Sequence, residues 1–463
     1  MKNILLIDFG STYTKLTAVD VDAEQIIGTA SAFTTVETDV NDGLRKGLSL
    51  LEKRIGKREY EACYACSSAA GGLRMITSGL VPELTGEAAK LASLGAGAKV
   101  VGIYAFQITD DDAEEIKKSK PDIFLLVGGT DGGNTECILH NAKMLAAIKP
   151  DFPIIIAGNR TASRECEKIL EGCETYVCPN VMPKFGVLNI APTQQKIREI
   201  FLERIIEAKG LSRASELLTD IMMPTPSAVL AATELLAKGY GDELGIGELI
   251  ALDVGGATTD VYSIADGMPE HMNTVYKGLP EPYAKRTVEG DIGMRYSIYG
   301  IIESAGIDKI ASLSGLGTER VKILVDELSA NKERIPGGDP ELEALDFALA
   351  SSAIEEAVTR HAGTIQETYT MMGQTFVQEG KNLTQVKKIV ITGGSLIHTK
   401  RTGEIASAAL YSPSHPESLR PKEAEVLVDK QYILAAMGLL SLHYPMAAIR
   451  IMKKELSQYG YTE

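Results

Sequence analysis

The sequence predicts an α/β protein of two lobes, with a further α/β subdomain inserted into the first lobe. A strand, an Asp-Gly turn and a returning strand occur near the N-terminus and again around residue 253. Between these two places, strands and helices alternate at the rhythm of a parallel sheet with right-handed crossovers. At 463 residues the chain also exceeds the length that one hydrophobic core usually serves. We therefore expect a first lobe at 1–247 with an insertion at about 97–210, and a second lobe at 248–463.

The turn at 253–260, Asp-Val-Gly-Gly-Ala-Thr-Thr-Asp, carries the strongest pattern. The short apolar run at 248–252 predicts a buried strand before it, and 261–264 predicts a returning strand after it. The stretch is therefore a β-hairpin turn, which excludes a Walker-type P-loop with its Lys-Ser or Lys-Thr pair at a helix start. Gly255 and Gly256 allow close approach to the backbone, whose N–H groups suit an anion.

The same device opens the chain at 8–15, Asp-Phe-Gly-Ser-Thr-Tyr-Thr-Lys, between predicted strands at 3–8 and 14–20. A third strand, at 387–391, also leads into a Gly-Gly-Ser turn. Any one of these could be an ordinary tight hairpin. Three in this order favour a site in which two hairpins hold a polyphosphate, with one carboxylate from each available to a hydrated cation.

This set of turns resembles the actin, sugar-kinase and 70-kDa heat-shock ATPase superfamily. In that resemblance 8–15 matches the first phosphate motif, 253–260 the second and 391–395 the adenosine motif, while 224–232 and 429–438 match the two connecting helices. The resemblance implies a bilobal, actin-like ATPase fold, in which ribonuclease H-like lobes repeat one mixed sheet. It also implies ATP or ADP with Mg2+ as the cofactors.

Within the superfamily, the stretches 8–15, 126–134 and 286–291 are similar to the accessory protein of methylaspartate (glutamate) mutase. That resemblance implies a slow, ATP-binding ATPase, a chaperone-like reactivating factor for an adenosylcobalamin-dependent mutase or a related aminomutase. The mutase subunits would be its partners, and a homodimer is one assembly that it could form. Neither nucleic acid nor a membrane is expected as a partner.

The resemblance also assigns roles to single residues. Asp8 and Asp253 would hold Mg2+ through water, since Mg2+ usually retains several waters. Asp260 would orient the attacking water or join that shell. Lys15 falls where the actin branch places a lysine that contacts phosphate. The implied nucleotide-binding residues are Gly10, Ser11, Thr12, Lys15, Gly255, Gly256, Thr258, Gly393, Gly394 and Ser395.

Two departures from the superfamily pattern predict slow hydrolysis. Heat-shock ATPases carry a Glu just before the proline of the first connecting helix, whereas Met223 precedes Pro224 here. Ala257 also stands in place of a third glycine. Slow turnover fits a conformational machine or a chaperone better than a metabolic kinase. The alternatives are a small-molecule kinase of the same superfamily and a dehydratase activator with an iron–sulfur cluster.

Bulk composition limits the other classes of function. A formal net charge of −15 and the absence of Trp disfavour nucleic-acid partners. Cys63 and Cys66 fall on a predicted strand, where residues three apart face opposite sides, so we interpret the cysteines as buried thiols of a reducing cytoplasm. The N-terminus lacks a signal-peptide pattern, and no apolar run of about 18 residues predicts a transmembrane helix. We expect a cytoplasmic protein.

Four further expectations concern single segments. The loop at 128–134 ends a predicted parallel strand, and either binds a ligand or partner, or is a plain turn with Asn134 as the N-cap of the next helix. The periodic stretch at 341–379 predicts one long helix. The segment 286–291 is expected to lead into a helix that begins near residue 292. The residues after 452 predict a solvated tail.

Overall fold

A computed structural model describes residues 2–10, 13–33, 40–68, 73–208, 220–371 and 373–462. The strands of the first half are β1 (Asn3–Phe9), β2 (Tyr13–Asp20), β3 (Gln25–Phe33), β4 (Ala62–Ser67), β5 (Arg74–Gly79), β6 (Lys99–Ala105), β7 (Ile123–Leu126), β8 (Ile154–Ile156), β9 (Thr175–Val177) and β10 (Asp220–Pro224). Its helices are α1 (Val40–Ile55), α2 (Glu87–Gly95), α3 (Asp110–Ser119), α4 (Glu136–Ile148), α5 (Ser163–Ile169), α6 (Ala191–Ala208) and α7 (Thr225–Lys238). A π-helical turn, Pro82–Gly86, precedes α2.

The second half continues the alternation. Its strands are β11 (Gly239–Tyr240), β12 (Glu243–Leu244), β13 (Leu249–Val254), β14 (Thr259–Ile264), β15 (Thr274–Lys277), β16 (Ala284–Glu289), β17 (Thr364–Thr370), β18 (Gly373–Glu379), β19 (Lys388–Thr392), β20 (Ala424–Val428) and β21 (Ser457–Thr462). Its helices are α8 (Ile298–Ala305), α9 (Ile307–Ser314), α10 (Thr318–Ala330), α11 (Pro340–His361), α12 (Gly394–Ile397), α13 (Thr402–Ser407), α14 (Leu434–Ser441) and α15 (Pro445–Glu455).

The chain divides into two compact units. The first unit comprises Met1–Val229, Gly278–Pro280 and Gly438–Tyr444, and the second comprises Leu230–Lys277, Glu281–Met437 and Pro445–Glu463. The lobe boundary after residue 247 and the insertion limits at about 97 and 210 stay predictions.

The first unit is organised by a mixed sheet with the strand order β10-β4-β1-β2-β3. β1, β2 and β3 form an antiparallel meander, and β4 and β10 lie parallel to β1. Alternate residues of β1, namely Leu5, Ile7 and Phe9, join a core cluster that also contains Leu44 and Leu51 of α1. The apolar run of β1 is continuous because both of its faces are covered.

The second unit repeats this sheet. Its strand order is β16-β14-β13-β19-β20-β21. β14 lies antiparallel to both of its neighbours, β13 and β16, whereas β19 and β20 continue in parallel with β13. Without the added edge strand β21, the order and the strand directions match those of the first sheet. The predicted fold class, α/β with two ribonuclease H-like mixed sheets, is confirmed.

A third large sheet is wholly parallel, with the order β6-β5-β7-β8-β9, and belongs to the first unit. Ile76, Phe124 and Ile156 pack on one face against Ile138 of α4, while Met75 joins the core on the other face. The alternation predicted for this region is present. Its strand β5 was missing from the prediction, although it lies between β6 and β7.

The two connecting helices are α7 and α14, close to the predicted 224–232 and 429–438. The two helices contact each other within the first unit. Their backbones are so close there that a Cβ atom added to Gly438 would overlap the carbonyl oxygen of Ala228. A residue with a side chain at 438 would therefore force the two helix backbones apart.

The prediction of one long helix at 341–379 is wrong. Helix α11 ends at His361, and the chain then forms the antiparallel hairpin of β17 and β18. A Cβ atom on Gly363 would lie 2.6 Å from the carbonyl oxygen of Glu379, so the chain passes from helix to strand at a position that needs glycine. The sequence of β17 has three Thr, one Ile and one Tyr among its seven residues, which suits a strand better than a helix.

Two further expectations are wrong. The segment at 286–291 belongs largely to strand β16, which pairs with β14, and the next helix starts only at Ile298. The strand was not predicted because its sequence is rich in charged residues, although the side chains of Lys285 and Arg286 are buried. The expected tail instead contains the end of α15 and strand β21, whose backbone pairs with β20. Within the described ranges, no helix is long and apolar enough to cross a membrane.

Lys381 is a fully buried lysine in the second unit. Its Nζ donates to the carbonyl oxygens of Pro282 at 2.9 Å, Tyr283 at 2.7 Å and Ser263 at 3.2 Å. Burial, with a contribution from the charge of Lys285, lowers the pKa of Lys381 to about 7. The protein thus keeps a titrating ammonium group inside its core.

Lys381 is expected to make stability rise with pH above neutrality. Between its folded pKa of about 7 and its ordinary value of 10.5, the unfolded chain binds more protons than the folded one, so the free energy of unfolding increases with pH. The slope from one such group is at most ~1.4 kcal/mol per pH unit. Urea unfolding of the wild type and of Lys381→Met from pH 7 to pH 10 measures it. An unchanged slope in the variant would show that Lys381 does not titrate there.

Candidate functional site

Asp8 lies near the end of β1, beside Lys15 of the returning strand β2. Its carboxylate is largely buried, and Lys15 Nζ lies 3.9 Å from Asp8 Oδ2. The hydroxyl of Thr225 donates to Asp8 Oδ1 at 2.6 Å. The first hairpin therefore presents a carboxylate whose orientation is fixed from two sides.

The turn of this hairpin depends on Gly10. Its N–H donates to the carbonyl oxygen of Tyr13 at 3.1 Å, and a Cβ atom at this position would lie 2.6 Å from that same oxygen. The N–H group of Gly10 is thus used to close the turn. The role predicted for Gly10 in nucleotide binding would therefore depend on the space left by its lack of a side chain. Ser11 and Thr12, also predicted to contact nucleotide, lie outside the described residues.

Two neighbours of Asp8 were not predicted from the sequence, namely Thr225 and Cys66. Thr225 is the first residue of α7, so Asp8 lies at the N-terminal end of a 14-residue helix, where the helix dipole favours a negative charge. Cys66 Sγ donates to Asp8 Oδ1 at 3.6 Å from the adjacent strand β4. Burial raises the pKa of the Cys66 thiol, and the charge of Asp8 raises it further.

In the second hairpin, Asp253 pairs with Asp260 across β13 and β14. Gly255 N–H donates to the carbonyl oxygen of Thr258 at 2.9 Å and closes the turn as Gly10 does in the first hairpin. The carbonyl oxygen of Gly256 accepts from the N–H groups of two following residues, Arg295 at 2.9 Å and Tyr296 at 2.8 Å. The turn is therefore held by the segment that precedes α8.

Asp260 forms a buried ion pair with Arg286 of β16. Arg286 Nη2 lies 2.6 Å and Nε 2.8 Å from Asp260 Oδ1, and both side chains are almost fully buried. Desolvation opposes the charge of Arg286, but the Asp260 carboxylate outweighs it and raises the pKa of the guanidinium. Thr258 Oγ1 donates to Asp260 Oδ2 at 3.3 Å. Much of the hydrogen-bonding capacity of Asp260 is thus already used.

Gly393 brings the predicted adenosine motif against the second hairpin. It adopts a φ of +104°, and a Cβ atom would lie 2.6 Å from the carbonyl oxygen of Val254 and 3.1 Å from Asp253 Oδ1. Only glycine meets both the conformation and the close approach. The structure thus places two of the motifs identified in the sequence at one end of neighbouring parallel strands, β13 and β19.

Gly394 lies beneath a tyrosine that the sequence did not single out. A Cβ atom on Gly394 would lie 2.8 Å from the hydroxyl of Tyr432. Asp429 holds this segment, since Oδ1 accepts from Ile433 N–H at 2.9 Å and Oδ2 accepts from Thr392 Oγ1 at 3.2 Å. Ser395, the other residue predicted for this motif, is half-buried on α12.

The carboxylates of Asp8 and Asp253 are of the ligand type that Mg2+ prefers. Mg2+ takes oxygen ligands, keeps several waters and is usually bound through one or two carboxylates together with substrate phosphates. Asp8 and Asp253 each stand beside an Asp-Gly turn, in the first and the second unit respectively. Among the described residues, no three His, Cys, Asp or Glu side chains form a metal-binding group by themselves. The roles assigned to Asp8, Asp253 and Asp260 stay predictions.

The loop at 128–134 follows β7. The N-cap of α4 is Thr135, which makes no capping hydrogen bond with its side chain, so the expected N-cap residue, Asn134, lies one position too early. Asn134 Oδ1 accepts from Cys137 N–H at 3.1 Å at the start of α4. Asn159 Oδ1 also accepts from Gly132 N–H at 3.1 Å, and Asp131 Oδ1 accepts from Arg160 N–H at 3.0 Å. The loop is thereby tied to the loop that follows β8.

Comparison with known proteins gives one extensive match in sequence. The model of a family described as MutL protein matches residues 4–456. Protein MutL from Clostridium tetanomorphum is 47% identical over 460 residues, which cover 98% of this chain and 99% of the relative.

Similar solved structures are much more remote. Component A of (R)-2-hydroxyglutaryl-CoA dehydratase from Acidaminococcus fermentans is 10% identical, with 97% of this chain and 100% of that chain covered and a TM-score of 0.34. Xylulose kinase from Lactobacillus acidophilus is 11% identical, with coverages of 100% and 93% and a TM-score of 0.37. Likenesses this remote do not extend an activity to this chain.

Proposed function

Because the chain belongs to the MutL protein family, we propose that it is an ATP-dependent accessory factor that reactivates an adenosylcobalamin-dependent mutase. The client would be methylaspartate (glutamate) mutase or a related aminomutase in the cytoplasm. The observation that carries the proposal is the match to the family over nearly the whole chain. Two Asp-Gly hairpins on duplicated sheets support the nucleotide-binding part of it.

The proposed nucleotide site divides its work among several groups. Bound Mg2+ would neutralise charge on the β- and γ-phosphate oxygens. Asp8 and Asp253 would hold it, and Thr225 keeps Asp8 in one orientation through its 2.6 Å hydrogen bond. Lys15 would contact phosphate. The glycine turns at Gly10, Gly255, Gly256 and Gly393, together with Gly394, Thr258, Ser395, Ser11 and Thr12, would leave room for the nucleotide or donate to it.

Slow hydrolysis is part of the same proposal. Met223 is buried, on the strand that leads into α7, at the place where heat-shock ATPases carry a glutamate. The buried side chain offers no proton acceptor for an attacking water. Long-lived nucleotide states suit a factor that changes its affinity for a client, because a ligand shifts a conformational equilibrium only through its differential affinity for the two states.

Reactivation is expected only in the presence of ATP, Mg2+ and fresh adenosylcobalamin. The experiment inactivates methylaspartate mutase holoenzyme by turnover, adds this protein, and follows both mutase activity and free corrinoid. A 100-fold difference in client affinity between nucleotide states corresponds to ~2.7 kcal/mol, which is within the range of allosteric coupling. The matched control is the same mixture with Asp8→Asn protein.

Two outcomes would contradict the proposal. Corrinoid release that is equally fast without nucleotide would remove the link to ATP. Rapid phosphorylation of a metabolite from the same extract would instead favour the small-molecule kinase.

A further inference from the structure

Tyr432 has a strained backbone conformation beside the predicted adenosine motif. Its φ is +57°, in the left-handed region that a bulky residue rarely adopts. Lys120 and Lys149 share that region, but each ends a helix, where left-handed residues are common. Tyr432 instead lies just before α14, which begins at Leu434. Strain of this kind persists only where the surrounding structure imposes it, and it clusters at active sites and ligand clamps.

Asp429 holds the turn that contains Tyr432. Its buried carboxylate accepts from the N–H groups of Ile433 at 2.9 Å and Leu434 at 3.1 Å, and from the hydroxyl of Thr392 at 3.2 Å. The N–H of Tyr432 donates to the carbonyl oxygen of Asp429 at 3.3 Å. Thr392 ends β19, the strand that leads into the adenosine motif. One carboxylate therefore ties the turn to that strand and fixes where the tyrosine side chain begins.

The side chain of Tyr432 fills the space that Gly394 leaves. A Cβ atom on Gly394 would lie 2.8 Å from the tyrosine hydroxyl, so a larger residue at this position would displace the ring. Tyr432 is half-buried, and the exposed His398 packs against it with ring centroids 6.5 Å apart and planes inclined by 52°. A base that reaches this motif therefore meets an aromatic ring where the sequence led us to expect open glycine backbone.

We infer that Tyr432 binds the base of the nucleotide by stacking its ring on that base. The inference rests on the nucleotide site proposed above and adds a residue that the superfamily motifs do not include. An aromatic ring offers a π-face on which any base can stack, and a purine presents the larger face, so the ligand is a purine nucleoside diphosphate or triphosphate. Because the turn is held before the ligand arrives, little ordering cost remains for binding.

Calorimetric titration of the full chain with ADP and Mg2+ tests this role. Tyr432→Asn is expected to raise the Kd for ADP at least about tenfold, because it removes the ring. Asparagine adopts the left-handed conformation readily, so the turn before α14 should persist. Tyr432→Phe keeps the ring and should bind ADP within about twofold of the wild type. The matched control is Tyr369→Asn, since Tyr369 lies on β17 of the same unit and is 76% exposed; it should bind as the wild type does.

Fluorescence provides a second readout that a purely structural tyrosine would not affect. The chain contains no Trp, so Tyr432→Trp carries a single indole beside the adenosine motif. ADP is expected to quench its emission along a saturable curve, whereas inorganic tripolyphosphate, which has no base, is expected to leave the emission unchanged. The emission of the control Tyr369→Trp should respond to neither. Thermal unfolding verifies that each variant folds, and fluorescence decides alone if Tyr432→Asn does not.

The outcomes separate this inference from the proposed function. Wild-type protein that binds neither ADP nor ATP in the presence of Mg2+ would overturn both. An unchanged ADP affinity in Tyr432→Asn, or equal quenching of Tyr432→Trp by ADP and tripolyphosphate, would overturn the role of Tyr432 and leave the proposed function standing. Equal losses of ADP affinity in the Asn and Phe variants would show that the hydroxyl rather than the ring contributes to binding, and stacking would then be wrong.

Discussion

Replacing Asp8 with Asn is expected to remove the Mg2+ dependence of nucleotide binding and to slow ATP hydrolysis by at least ~100-fold. The amide keeps an oxygen that can accept from Thr225, which donates to Asp8 at 2.6 Å, so the local geometry should persist. What is lost is the negative charge at the N-terminal end of α7. Calorimetric titration of ATP with and without Mg2+, together with release of inorganic phosphate, measures both effects.

The matched control for this change is Asp20→Asn. Asp20 is a buried aspartate at the other end of the same hairpin, where its Oδ1 accepts from Ala23 N–H at 3.1 Å. It should therefore report only the effect of an Asp-to-Asn change on the fold of the hairpin. Asp253→Asn is expected to repeat the effect of Asp8→Asn. Full Mg2+ dependence in both single variants would show that the two aspartates do not hold the metal.

Replacing Arg286 with Met is expected to lower the free energy of unfolding by about 3–5 kcal/mol. The change leaves the carboxylate of Asp260 buried without the guanidinium that lies 2.6 Å away. Arg286 also contacts Tyr262, whose pKa is raised by burial and then by the charge of Asp260. Urea unfolding followed by circular dichroism measures the loss.

Two variants sharpen that measurement. Arg320→Met breaks an arginine–glutamate pair in the same unit whose side chains are 42% and 45% exposed, and it should leave the unfolding midpoint almost unchanged. Asp260→Asn combined with Arg286→Met should cost less than Arg286→Met alone, because no unpaired charge then stays buried. Equal losses of unfolding free energy in the Arg286 and Arg320 variants would mean that burial does not make the Asp260–Arg286 pair contribute more to stability than the exposed pair.

The hairpins were predictable because their information is local. An apolar strand, an Asp-Gly turn and a second strand are contiguous in sequence, and the register of each pair follows from them. The parallel sheet was likewise predictable from alternating strand and helix patterns. Its strand β5 was not, since it has only six residues, follows two glycines and itself ends in glycine.

The surroundings of the site were not predictable, because they depend on contacts between distant residues. Thr225 and Asp8 are separated by 217 positions, and Arg286 and Asp260 by 26. A charged residue on a short segment reads as a loop unless its partner is known, which is why β16 was missed. The helix predicted at 341–379 is longer than the observed α11 for a related reason. The periodicity of α11 does not reveal that the helix stops before Gly363, because the need for glycine there comes from the carbonyl oxygen of Glu379, which is distant in sequence.

The two sheets share the order and the directions of five strands, so each half of the chain carries an equivalent hairpin on an equivalent framework. The two hairpins differ in the charged residues that face each other across their strands. Asp8 faces Lys15 in the first hairpin, whereas Asp253 faces Asp260 in the second, where Arg286 from a third strand compensates. The halves are therefore not interchangeable. A chimera built from two first halves or from two second halves would keep the strand order and lose one of the two charge patterns.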